Sequence, residues 1–324
     1  MSDLEFQSRV DFSELNQSVQ DIKSEIGRVI VGQNQLIEQM LIAILANGHI
    51  LVEGVPGVAK TMSAKLLAQT IDVGFSRIQF TPDLMPSDVL GTSVFLPGAS
   101  KFEFKKGPIF SNIVLIDEIN RSPAKTQAAL FEVMEERQVT NDGTTYKMNY
   151  PFLIVATQNP IEQEGTYRLP EAQLDRFLFK ILVDYPNIVE EISILDRENK
   201  GELSASTVLR PVLDADKLNR LREAVQNVLV ERHLLEYIAQ IVGATRHSPW
   251  LSLGASPRAS LAILNASKAL AAIRGRDFIT PDDIKEVAIP VLRHRILLTP
   301  EKEMDGTSAD TIISQIIDRT EVPR

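Results

Sequence analysis

The 324-residue chain contains no cysteine. That excludes a disulfide scaffold, a thiolate metal site and a cysteine nucleophile, and it fits a reducing compartment. Its 16 glycines and 17 prolines are no enrichment, so collagenous and low-complexity classes are excluded as well. Long apolar runs are also missing. The longest aliphatic stretch, Leu41 to Ala46, falls far short of the roughly 18 residues that suggest a spanning helix. Met1 to Asp11 carries Asp3, Glu5 and Arg9 with no apolar segment, which predicts neither a signal peptide nor membrane insertion. Basic charge is scarce: 34 Lys and Arg against 43 Asp and Glu leave a net charge of −9. The chain therefore lacks the global positive field that non-specific phosphate-backbone binding needs, and only a local basic groove could serve nucleic acid. The expectation is a soluble, cytoplasmic protein.

What is present is an average globular composition, 44% hydrophobic and 24% charged. The length suits two domains at roughly 150 residues each. Residues 1–48 read as helices, because Ile22, Ile26, Val29, Ile30 and then Leu36, Met40, Leu41, Ile44, Leu45 recur at helical spacing. Short apolar runs then alternate with helical stretches: Ile50 to Val52, Arg77 to Phe80, Ile113 to Ile116, Phe152 to Ala156 and Phe177 to Val183. That alternation predicts an α/β fold with a parallel sheet flanked by helices. Val94 to Lys106, around Leu96-Pro97-Gly98, and Val139 to Tyr146, around Asn141-Asp142-Gly143, break the rhythm and predict two β-hairpin inserts. After Asp184-Tyr185-Pro186 the strand signals fade, and Glu198 to Thr207 reads as a linker. Helices are predicted at Ala215 to Val230, about His233 to Thr245, Pro257 to Ile273 and Pro281 to about Leu292, the last with a Thr280–Asp283 capping arrangement. The predicted organisation is an α/β core over 1–190, a linker over 191–212 and an all-α domain with a C-terminal tail over 213–324.

Three segments carry chemistry. Gly54-Val55-Pro56-Gly57-Val58-Ala59-Lys60-Thr61 lies between a predicted strand and the helix that begins at Met62. Small residues there let backbone N–H groups face phosphates, and the helix N-terminus adds partial positive charge. Lys60 would reach the β and γ phosphates and the Thr61 hydroxyl would bind Mg²⁺. Ala59 stands where the general pattern has glycine, and is predicted to keep an ordinary backbone conformation. Ile113 to Glu118 is a buried strand ending in two acids, with Asp117 for the Mg²⁺ shell and Glu118 to polarise the attacking water. Alone, such acids often cap a following helix; in this order after the loop they point to phosphoryl chemistry. Phe152 to Ala156 ends in Thr157-Gln158-Asn159-Pro160, where Asn159 could position the water or simply serve a turn. The four histidines, His49, His233, His247 and His294, have no metal-ligand spacing and read as structural or surface. Arg274, Arg276, Arg293 and Arg295 could form a basic patch but read rather as solvated helix ends.

Together these pieces resemble an AAA+ ATPase. Several phrases are similar to those of the MoxR family, in the helix-2-insert branch: Gln79 to Asp88, Gly107-Pro108-Ile109-Phe110, Asp117 to Arg121, Ala156 to Pro160 and Leu169 to Phe177. The resemblance runs over residues 20–300. It implies an AAA+ P-loop core with two hairpin inserts and a C-terminal helical lid, ATP or ADP with Mg²⁺ held between them, and a hexameric ring. It implies that Val31-Gly32-Gln33 lines the adenine pocket with the loop and Met62. Arg176 matches an arginine finger acting in a neighbouring subunit; otherwise it is a surface arginine paired with Asp175 or Glu171. Arg168 stays open to the same role. Arg258 matches a lid arginine that senses the γ-phosphate, against the bland reading of a helix-start residue after Ser256 and Pro257. A cation at a helix N-terminus breaks a local rule, which favours function.

Three functions compete. The leading one is an ATPase that remodels or activates client proteins, which in the family often carry von Willebrand factor A domains. The second is a nucleic-acid motor; the first insert offers Lys101, Lys105 and Lys106 against Glu103, and the second Lys147 against Asp142, little charge for tracking a phosphate backbone. The third is a nucleotide-gated scaffold without turnover, against which Glu118, Asn159 and Arg176 argue.

Overall fold

The computed structural model describes residues 10–55, 57–159, 167, 169–201 and 209–323. Contacts divide the chain into two compact units, Asp21–Leu218 and the described part of Met1–Gln20 with Asn219–Arg324.

In the larger unit, α1 (Ser13–Gly27, which crosses into it) and α2 (Asn34–Leu45) lead to β1 (Ile50–Gly54), α3 (Lys60–Thr70), β2 (Phe75–Gln79) and α4 (Pro86–Leu90). A hairpin of β3 (Gly91–Leu96) and β4 (Lys101–Lys106) comes before β5 (Ile113–Asp117) and α5 (Ala124–Glu136). A second hairpin, β6 (Gln138–Asn141) and β7 (Thr144–Lys147), precedes β8 (Leu153–Gln158), α6 (Glu171–Leu174), β9 (Phe179–Val183) and α7 (Ile188–Asn199). The next helix, α8 (Ala215–Gln226), crosses the second unit boundary. The boundaries thus fall inside α1 and α8. Most of the segment read as the start of a linker is the helix α7, and 202–208 lie outside the described residues.

The sheet order is β2-β5-β8-β1-β9, every pairing parallel. All five residues of β5 are buried, as expected of a strand covered on both faces. The register sets Gln79 beside Asp117, Glu53 beside Gln158, and Gly54 beside Val183. The carboxyl ends of β1, β5 and β8 therefore open on one edge, where open α/β sheets bind ligands. His49 pins the opposite end. Its Nδ1 accepts from the Ile154 N–H at 3.0 Å, so Nε2 carries the proton and donates to the Met134 carbonyl at 3.2 Å. Burial, with help from the Arg137 charge, pushes its pKa to about 3, so it is a neutral structural group.

Both predicted hairpins form. The Asp142-Gly143 turn has positive φ at both residues, as a two-residue turn matched to strand twist requires. The hairpins are joined to each other: Asn141 Nδ2 donates to Ser93 Oγ at 2.6 Å and the Phe104 and Tyr146 rings stack at 4.6 Å.

The smaller unit contains α9 (Arg232–His247), β10 (Leu251–Leu253), α10 (Pro257–Ile273), α11 (Pro281–Leu292), β11 (Leu297–Leu298), α12 (Pro300–Met304) and α13 (Ala309–Arg319). The start of α1 packs here, with Asn16 Nδ2 donating to the Ile273 carbonyl at 2.7 Å. The four arginines are not solvated helix ends. Arg274 and Arg276 both bond Asp283, Arg293 pairs with Asp310 at 2.6 Å, and Arg295 is buried. Burial alone would raise the Asp283 carboxyl, but hydrogen bonds from Arg276 and Thr280 outweigh it and hold the pKa below the usual range. Asp283 also closes the capping box of α11 with Thr280.

Asp283→Asn should therefore lower the unfolding free energy by about 2–4 kcal/mol, the cost of breaking a buried pair discounted for its partly solvated guanidiniums. Glu286→Gln, on the exposed side of Arg274, should change it by no more than about 0.5 kcal/mol. Urea unfolding followed by circular dichroism measures both, and equal effects would contradict this assignment.

Candidate nucleotide site

The loop from β1 to α3 is shaped by two glycines for two different reasons. A Cβ on Gly54 would lie 2.4 Å from the Val183 carbonyl oxygen of β9, so the close approach of backbones requires glycine. Gly57 instead has a φ of +85°, a conformation L side chains rarely adopt. Pro56 lies outside the described residues.

Ala59 departs from expectation. Its φ is 58° and ψ 19°, left-handed rather than ordinary. It is the last residue before α3, and its carbonyl accepts from both the N–H and the Oγ of Ser63, at 2.9 and 3.0 Å. These bonds over-determine the turn and hold alanine where isolated L-residues lose about 1–2 kcal/mol. Gln33, just before α2, and Glu118, just after β5, are left-handed too, at φ 61° and 56°. Three residues of the predicted site thus share a left-handed conformation that Asn47, Asp72, Ser100, Arg137 and Asp142 adopt elsewhere in the chain.

Lys60 Nζ donates to the Gly54 carbonyl at 2.7 Å, folding back over its own loop. Partial burial lowers its pKa, opposed by the charges of Asp117, Glu118 and Glu53. The acids of β5 are organised by Thr157 of β8. Its Oγ1 accepts from the Glu118 N–H and donates to Asp117 Oδ1, both at 3.1 Å. Asp117 Oδ2 accepts from Arg77 Nε at 2.7 Å, and Glu118 Oε2 accepts from Gln79 Nε2 at 2.7 Å and lies 3.5 Å from Arg121. The sequence reading did not single out Arg77, Gln79 or Thr157. Their signal is strand periodicity: Arg77 and Gln79 share one face of β2, and Thr157 stands in the strand between β1 and β5. Asn159 follows Gln158 at the same sheet edge; Pro160 lies outside the described residues.

A cavity of about 380 Å³ adjoins the loop. Val31, Gln33, Gly57, Val58, Ala59 and Met62, six of the candidate nucleotide-binding residues, line it with Val29, Ile30, Pro186 and Ile194. Gly32 lines a neighbouring cavity of about 350 Å³ instead, with Gln33 and Glu190. Ile194 was missed because α7 was missed, although Asn187 and Glu190 form a capping box that announces it.

Arg176 pairs with neither Asp175 nor Glu171 in the bonds resolved for it. Its Nη1 donates to the Phe131 carbonyl at 2.9 Å and to Glu135 Oε2 at 3.3 Å, both on α5. Arg168 lies outside the described residues. Arg258 belongs to the smaller unit, exposed on the first turn of α10, its N–H donating to the Ser256 cap at 3.2 Å.

The Thr61 hydroxyl and the Asp117 carboxylate are hard oxygen donors of the kind Mg²⁺ prefers. Among the described residues no group of three or more His, Cys, Asp or Glu could hold an ion. An ion at Thr61 and Asp117 would therefore complete its shell with phosphate oxygens and water, as nucleotide-site Mg²⁺ does. The residues present fit such a group.

Comparison with known proteins agrees with this geometry. Residues 49–179 match the family model for ATPases associated with various cellular activities, and residues 243–316 match the AAA lid domain. The chain is 46% identical over 309 residues to the chaperone MoxR1 of Mycobacterium tuberculosis, covering 93% of this chain and 81% of that one. The chain belongs to the MoxR family of AAA+ ATPases. It is also 47% identical to the YeaC protein of Bacillus subtilis over 92% of each chain. A crystal structure of a candidate ATPase from Cytophaga hutchinsonii matches with a TM-score of 0.88 at 42% identity, over 96% of both chains. The larger unit thus contains the AAA domain, over residues 49–179, and the smaller unit the AAA lid domain, over residues 243–316. No helix among the described residues is long and apolar enough to cross a membrane.

Ala59→Gly would restore the glycine of the general ATPase loop. It should release about 1–2 kcal/mol of left-handed strain and lose about 0.5–1 kcal/mol to the freer unfolded chain. A net stabilisation of about 0.5–1 kcal/mol by urea unfolding is expected. Destabilisation would mean that Ala59 is not held in the left-handed region.

Proposed function

We propose that this chain hydrolyses ATP with Mg²⁺ in a ring of its own copies, a hexamer, and uses the cycle to remodel or activate client proteins. The observation that carries the reading is the arrangement at the sheet edge: two acids, locked together through Thr157, beside a glycine-shaped loop that leads into a helix N-terminus.

In this reading the base of ATP enters the apolar cavity between Val31, Met62 and Ile194. The phosphates meet the N–H groups of Gly57 to Thr61, and the N-terminus of α3 favours their charge. Lys60 exchanges the Gly54 carbonyl for phosphate oxygens. Thr61 and Asp117 would hold Mg²⁺, which when bound neutralises phosphate charge. Glu118 gives up its bond to Gln79 and takes the proton of the attacking water, with Asn159 orienting that water. Arg176, seated on α5 in the isolated chain, serves the site of the neighbouring copy, where a finger arginine is worth about 10³–10⁵ in rate. Arg258 senses the γ-phosphate from the lid domain.

A protein client is favoured over nucleic acid by the inserts. Phe95 and Phe102 stand exposed at the first hairpin with their rings 5.2 Å apart, beside exposed Val94 and Leu96. Lys101 is paired with Glu103 at 3.4 Å, and Lys106 lies over the Phe110 ring. The tip is therefore apolar, with Lys105 and Lys106 of β4 set behind it. In the resemblance, clients with von Willebrand factor A domains take this role.

Glu118→Gln should bind ATP within about threefold of the parent chain while losing about 10²–10⁴ of turnover, the value of a general base. Lys60→Ala should weaken ATP binding itself. Calorimetry and phosphate release separate the two, and undiminished turnover in Glu118→Gln would move the base to another residue.

A further inference from the structure

The Asp117–Arg77 contact has a feature that an ordinary structural ion pair lacks. Both carboxylate oxygens are committed within the chain, Oδ1 to Thr157 and Oδ2 to Arg77 Nε at 2.7 Å. The Asp117 side chain is only 11% exposed, but that of Arg77 is 54% exposed. The anion is fixed inside, at the end of a wholly buried strand, and the cation reaches it from the solvent side of β2, at the sheet edge. The contrast with Asp283 is instructive, since that carboxylate is fully buried under two arginines and a cap and has no ligand to receive. Arg77 can leave Asp117 for water by turning its own side chain, without moving the strand.

We propose that Arg77 is a resident counter-cation of Asp117 that competes with Mg²⁺ for this carboxylate and so sets how much metal the site requires. The inference rests on the nucleotide-site reading above. Asp117 and Glu118 are adjacent acids, and Lys60, the ammonium that feels both, is bonded to the Gly54 carbonyl. Arg77 offsets their mutual repulsion while no metal is bound. A guanidinium on Oδ2 and a divalent ion on the same oxygen repel each other, so one displaces the other. A metal ion arriving on that oxygen meets the opposing charge of the guanidinium 2.7 Å away until Arg77 swings clear.

The test uses the full chain, with Mn²⁺ as the probe for the metal. ADP binding in EDTA, by calorimetry, first reads the nucleotide site without metal. Free Mn²⁺ is then titrated by electron paramagnetic resonance at saturating ADP. Arg77→Gln should bind Mn²⁺ about tenfold more tightly than the parent chain, and Arg77→Lys, which keeps the charge on a looser ammonium, should fall between them. Equal or weaker Mn²⁺ binding by a folded Arg77→Gln overturns the proposal, and the weaker case would make Arg77 a residue that positions Asp117 for the metal. If Arg77→Gln does not fold, Arg77→Lys decides alone: tighter binding than the parent supports the competition and equal or weaker binding overturns it. Failure of the parent chain to bind ADP both in EDTA and with Mn²⁺ present would sink the nucleotide-site reading and the proposal together. Intact ADP binding with an unmoved Mn²⁺ affinity sinks the proposal alone.

Discussion

The hydroxyl of Thr157 is the contact on which the candidate site depends. It accepts from the backbone N–H of Glu118 and donates to Asp117 Oδ1, so one atom of β8 fixes the last carboxylate of β5 and the backbone of the acid that follows it. That contact exists only because the parallel register aligns β8 between β5 and β1. A one-residue slip would turn Thr157 to the other face and leave a buried carboxylate without its donor. The apolar bulk of β5 and β8, and the His49 bridge to Ile154 at the far end, keep the strands from slipping.

Strain is the second organising feature. Gln33, Ala59 and Glu118 all occupy left-handed backbone without being glycine. Gln33 and Ala59 lead into α2 and α3, and Glu118 leads out of β5. The rigid elements supply the energy that holds these turns. The Ala59 carbonyl is fastened by Ser63 and the Glu118 N–H by Thr157, so the strained residues are also the well-bonded ones.

Much of this was legible in the sequence, and the limits have physical causes. The strands were readable because buried parallel strands are nearly continuous apolar runs, and the hairpins because Asp142-Gly143 and Pro97-Gly98 leave few alternatives. The helices Pro257–Ile273 and Pro281–Leu292 were readable from their Ser256 and Thr280 caps and following prolines. The helix α7 escapes the reading although Ile188, Ile192 and Leu195 recur at helical spacing, and that stripe is left exposed rather than packed in the core. The left-handed backbone at Ala59 runs against its propensity, and the bonds that hold it, from the N–H and hydroxyl of Ser63, exist only once the first turn of α3 has formed. The pairing of Arg274 and Arg276 with Asp283 depends on α10 and α11 packing together, which no local pattern states. Arg77 and Gln79 were visible as residues, but their partners lie on another strand.

In the proposed mechanism catalysis is divided between copies: Lys60, Thr61, Asp117 and Glu118 would act in one chain, and Arg176, seated on its own α5, would act in the next. The most direct measurement mixes two inactive variants, Arg176→Ala and Glu118→Gln, and follows phosphate release as their ratio changes. Alone, each has every interface defective. In mixed rings, a chain with an intact Glu118 can sit beside a neighbour with an intact Arg176, so activity should reappear and peak at intermediate ratios. No recovery at any ratio, with both variants folded and assembled and each inactive alone, would place Arg176 in its own chain's site and contradict the division.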